Sequence, residues 1–151
     1  MKRAMHGRLL ALLTGLFALR VVGQTLVEFF AVDWLPPSKA WASGVIPYSI
    51  LLPMQLAMLV VMVRIVVDVS RKCGIFATPR RSLSRFLVSF SAVYAGSMAL
   101  RYVMTMIFFA DMRWSGGVIP IFFHFVLAAF LYTWGRFLAR DRIFARPDPA
   151  C

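Results

Sequence analysis

The sequence predicts an all-α fold: an integral membrane four-helix bundle built from two tandem transmembrane helical hairpins that repeat in parallel. Three observations carry that expectation. Of 151 residues, 61% are hydrophobic and only 15% charged, whereas a soluble domain is about 45–50% apolar and needs a polar surface. The charges cluster between four long apolar runs. The connections after the first and third runs share one motif.

Each run is long enough to cross a hydrocarbon core, which takes about 20 residues, and the spans fall at about 9–32, 45–69, 86–110 and 118–138. Together they make one transmembrane domain over 1–151, with a basic loop at 70–85 and a tail at 139–151. The first run imitates a secretory signal, with Lys2, Arg3 and Arg8 ahead of an apolar stretch. However, Arg20 and the Val-Val-Gly-Gln after it do not make a small-residue cleavage site, so a retained helix is expected.

Orientation follows from the short basic flanks. Lys2, Arg3 and Arg8 precede the first run; Arg71, Lys72, Arg80, Arg81 and Arg85 fill the central loop; Arg136, Arg140, Arg142 and Arg146 follow the fourth run. The other two loops carry Lys39 against Asp33, and Arg113 against Asp111. Both termini and the central loop are therefore expected in the cytoplasm, with the membrane a bacterial inner membrane. The same clustering accounts for the net charge of +11 by topology and anionic lipid rather than by nucleic acid. Cys73 and Cys151 make neither a disulfide framework nor a metal motif, and are read as two unpaired cytoplasmic thiols.

In the first outer loop, Phe29-Phe30-Ala31 leads through Asp33 to Trp41-Ala-Ser-Gly-Val-Ile-Pro47. In the second, Phe108-Phe109-Ala110 leads through Asp111 to Trp114-Ser-Gly-Gly-Val-Ile-Pro120. Two hairpins entering from the same side would be parallel repeats about an axis along the membrane normal. The motif has a structural sense as a helix start, because a proline in the first turn lacks only an N–H that would have no helical partner. The tryptophans are expected to anchor at the interface.

Polar residues within the spans are the candidate site, because a charge in hydrocarbon is costly and is paired or functional. The first span carries Arg20, Gln24 and Glu28 at i, i+4 and i+8. The third carries Tyr94, Ser97, Arg101 and Thr105, and the fourth carries His124. Glu28, Arg101 and His124, with Gln24 and Arg20 alongside, are expected to form an ion-pair or ligand-binding cluster between the first and third helices. Arg64 and Asp68 form an i, i+4 pair near the inner end of the second span. Ser89, Ala92, Gly96 and Ala99 make a small-residue stripe, expected to pack within the molecule.

A haem held by two histidines is disfavoured, since His6 lies outside the spans. No zinc-protease, phosphate-loop or nucleophile-elbow motif occurs and no carboxylate cluster for a metal is evident; a haem held by His124 and one of the nine methionines stays open but unspecific, and the sequence leaves any cofactor unknown. The expectation is a non-catalytic accessory or assembly subunit of a larger membrane complex, its partners being lipid and other membrane subunits or a second copy. The alternative is a small transporter or a quinone- or lipid-headgroup-binding protein using the Glu/Arg/His cluster.

Overall fold

A computed structural model of the chain describes residues 2–30, 32, 34, 35, 47–71, 73–108 and 118–139. Asp33, Trp41, Asp111 and Trp114 of the outer-loop motif lie outside the described residues. Among the described residues the fold is all-helical, with α1 (Lys2–Phe30), α2 (Tyr48–Arg71), α3 (Arg81–Phe108) and α4 (Val118–Leu138). All four are long and apolar enough to cross a membrane. The chain is an integral membrane protein.

Two helices start earlier than hydropathy alone suggests: α1 at Lys2 rather than near Leu9, and α3 at Arg81 rather than near Phe86. Hydropathy marks where hydrocarbon ends, not where helical hydrogen bonding ends. Lys and Arg are good helix formers, so the backbone continues through the basic flank. At 29 residues, α1 is about 43 Å long against a hydrocarbon core of about 30 Å. The two motif prolines serve helix starts. The Pro47 carbonyl accepts from the N–H groups of Ile50 and Leu51, both at 3.0 Å, while Pro120 sits buried in the first turn of α4.

α1 packs against α2 and α4, and α4 packs against α3; among the described residues no backbone contact joins α2 to α3. The helices therefore stand in the order α2, α1, α4, α3. Neighbours run antiparallel. Gly7 lies against Ser70 while Thr25 reaches Tyr48; His6 meets Phe137 while Arg20 meets Phe123; Ser84 meets Gly135 while Tyr94 meets His124. The core lies on the central pair. Leu10, Leu13, Phe17 and Val21 of α1 face Val126, Phe130, Trp134 and Leu138 of α4, with Met62, Ile65 and Val69 of α2 and Leu87 of α3 closing it. In lipid this is held by close van der Waals fit, since the tails are as apolar as the core.

α3 and α4 approach closely at Gly135. A Cβ there would lie 3.1 Å from both Leu87 Cβ and Val88 Cγ2, and the Ser84 hydroxyl donates to the Gly135 carbonyl at 2.8 Å. The small-residue stripe of α3 points elsewhere. Ser89, Ala92, Gly96 and Ala99 are all exposed, and a Cβ on Gly96 would meet nothing within 4 Å. This corrects the expectation that the stripe packs within the molecule: the α4-facing side of α3 is a different one, carrying Ser84, Leu87 and Ser91.

The turn after α2 is built on Asp68. Its carboxylate pairs with Arg64 at 3.3 Å and accepts from the Phe76 N–H at 3.3 Å, and its carbonyl accepts from the Cys73 N–H at 3.1 Å. Gly74 makes this possible with φ 105°, a conformation that a Cβ disfavours. Trp134 completes the corner by donating its indole N–H to the Phe76 carbonyl at 3.1 Å. It is buried, not an interfacial anchor, whereas Trp34 is 79% exposed.

Candidate functional site

Along α1 the buried positions include Leu10, Leu13, Thr14, Phe17, Arg20, Val21, Gln24 and Val27, a single stripe that returns every three or four residues. Arg20 and Gln24 thus continue the line of the apolar core and face protein, not lipid. Glu28 does not. At 100° per residue, a position eight beyond Arg20 has turned about 80° away, while one seven beyond has turned back by about 20°. Val27 therefore takes the buried place and Glu28 is exposed.

Arg101 is also exposed. The register set by Ser84 with Gly135 and Tyr94 with His124 puts Arg101 level with the start of α4 at Val118, where the interface ends. Glu28 and Arg101 make no ion pair; among the described residues the pair is Arg64 with Asp68. Arg101 does lie within electrostatic range of His124.

The residues that do converge come from all four helices. Gln55 of α2 donates through its side-chain amide to Gln24 Oε1 at 3.2 Å, and both are buried, at 2% and 3% exposure. The Tyr94 hydroxyl and His124 Nδ1 share a hydrogen bond of 2.5 Å, with their rings edge to face at 5.7 Å. Arg20 stands between these two pairs. Its guanidinium lies 5.4 Å from the centre of the Phe123 ring and within electrostatic range of Tyr94 and His124. Ten residues separate Arg20 from the end of α1 at Phe30, so it sits about 15 Å below that end. That depth is well inside hydrocarbon.

Arg20 is 9% exposed. Its Nε has no hydrogen-bond partner, and no carboxylate among the described residues pairs with it. A guanidinium remains charged under all ordinary conditions. Removing it from water costs several kcal/mol, and a desolvated cation–π contact returns about 2 kcal/mol, so the charge is under-compensated. Gln55 Oε1 is the other buried polar atom without a partner among the described residues. The two orphaned polar atoms are thus a donor on Arg20 and an acceptor on Gln55, whose amide bonds Gln24 one turn of α1 beyond Arg20.

The sequence reading overlooked Gln55. The signal was available, because Gln55 is the sole amide in an otherwise apolar α2 segment, but it has no polar neighbour at i±3 or i±4 to make a stripe. Nothing in the described residues gathers three metal-ligating side chains. Comparison with protein-family models, with curated proteins and with solved structures gives no match.

Proposed function

We propose that the chain is a small accessory or assembly subunit that docks, through α3, against a partner helix in a larger membrane complex. The observation that carries this is the outward stripe of Ser89, Ala92, Gly96 and Ala99, with Ser97 and Arg101 also exposed on the same helix. Small residues gain little from facing lipid tails, whereas they let another backbone approach closely, and serine and arginine there give a partner something to bond. The absence of any long connection in which a catalytic domain could fold supports a non-catalytic role. The Lys and Arg balance supports both termini in the cytoplasm of a bacterial cell.

The test is extraction in a mild detergent from native membranes, comparing the parent with Gly96→Leu. The reading expects the parent to migrate in a complex larger than one chain. Gly96→Leu should release it while its own thermal unfolding stays unchanged. A parent that runs as a monomer, or a complex indifferent to leucine at position 96, would refute it. A Gly96→Cys cross-link between identical chains would reassign the stripe to self-association.

A further inference from the structure

We propose that Arg20, Gln24, Gln55 and His124 form an intramembrane binding site for an oxyanion, a carboxylate or a phosphate. The inference is independent of the docking role of α3, whose stripe points out of the molecule. It rests on the two orphaned atoms. Arg20 is a permanent cation, nine-tenths buried, with no carboxylate partner among the described residues and an aromatic ring as its compensation. Intramembrane arginines are otherwise found paired or at a water-filled cavity. An oxyanion supplies what is missing, because the guanidinium fork matches carboxylate and phosphate geometry.

Gln55 fits the same ligand. Turning both amides of the Gln24–Gln55 pair by 180° lets Gln55 Oε1 accept from the Gln24 NH2 group and frees the Gln55 NH2 group to donate to a ligand, since the two orientations of a glutamine amide are assigned from the hydrogen-bond network. A bound oxyanion would then take donors from both Arg20 and Gln55. His124 is held by Tyr94 through Nδ1, which leaves Nε2 as a further donor or acceptor at the same level. The depth of Arg20 favours an anion carried on an apolar tail, although a soluble anion offers the same head chemistry.

The experiment uses the full chain in dodecyl maltoside, an uncharged detergent, titrated with laurate, dodecyl phosphate, methyl laurate, acetate and inorganic phosphate. Binding is followed by calorimetry and by the thermal melt. Saturable binding of laurate or dodecyl phosphate, at least tenfold tighter than methyl laurate, is the result expected of a membrane-borne ligand. Tighter binding of acetate or phosphate instead would assign the site to a soluble oxyanion. Arg20→Gln should weaken binding at least tenfold, while Arg85→Gln, on the exposed basic flank, should leave it unchanged. Gln55→Glu places a carboxylate against Gln24, the residue one turn beyond Arg20; it should abolish laurate binding while raising the melt, and it decides the matter if Arg20→Gln does not fold. Equal affinity for laurate and its methyl ester, no binding by any anion, or unaltered laurate binding in Gln55→Glu would overturn the proposal.

Discussion

Leucine at Gly135 would be set against a neighbour with no room for it. Even the first carbon of the side chain would lie 3.1 Å from Leu87 Cβ, 3.1 Å from Val88 Cγ2 and 3.3 Å from the Ser84 carbonyl oxygen. The last of these is backbone and cannot rotate away, so α3 and α4 must separate. Forcing extra carbons into a packed interface costs about 1–3 kcal/mol. Separation also breaks the 2.8 Å bond from Ser84 to the Gly135 carbonyl, and an interhelical hydrogen bond in a membrane contributes about 0.6–2 kcal/mol. Against this stands a gain of up to about 1 kcal/mol in helix propensity on leaving glycine. The balance is a loss of about 1–4 kcal/mol for Gly135→Leu, and a much smaller one for Gly135→Ala. Unfolding in mixed dodecyl maltoside and sodium dodecyl sulfate, followed by far-ultraviolet circular dichroism, measures it. Gly96→Leu, with open space at its Cβ, is the internal comparison and should unfold with the parent. Equal midpoints for Gly135→Leu and Gly96→Leu would refute the α3–α4 packing described here.

Two further outcomes follow from the corner after α2. Gly74→Ala combines a φ of 105° with a Cβ crowding the Asp68 carboxylate, so a loss of about 1–3 kcal/mol is expected; a midpoint within error of the parent in the same unfolding assay would contradict that geometry. Trp134→Phe keeps most of the ring but removes the donor to the half-buried Phe76 carbonyl; about 0.5–1.5 kcal/mol should be lost, the net contribution of one hydrogen bond, and amide exchange should quicken through residues 73–78 if Trp134 holds that turn.

The four spans were legible because hydrocarbon imposes a length and an apolar composition that few other settings demand. Which polar residues would meet was less legible, and the reason is angular. Arg20 and Gln24 lie close to the line of the apolar stripe and are buried with it. Glu28 was assigned to the same face, but eight positions of helix accumulate too much rotation, and Val27 takes the site. Arg101 lies on the right side of α3 but beyond the end of its interface with α4, a limit that depends on helix register rather than on sequence. The α3 small-residue stripe was misassigned because a run of small residues shows that a close approach is possible, not who makes it. The shared outer-loop motif leads to a similar point: helices related by a parallel two-fold would contact as α2 with α3 wherever they contact as α1 with α4, and the first of these contacts is missing among the described residues.

The central pair, α1 and α4, joins two helices that are far apart in the sequence. Arg20 meets Phe123 across that pair, so about a hundred residues must be synthesised after the arginine before its shelter exists. At a synthesis rate of about 5–20 residues per second, that interval lasts about 5–20 s. During it, α1 resides in the bilayer with a cation that lacks its aromatic cover. Insertion of α4 is then what shelters the arginine, and a chain cut before α4 is expected to hold its other three spans less stably, because Arg20 would face hydrocarbon without that ring.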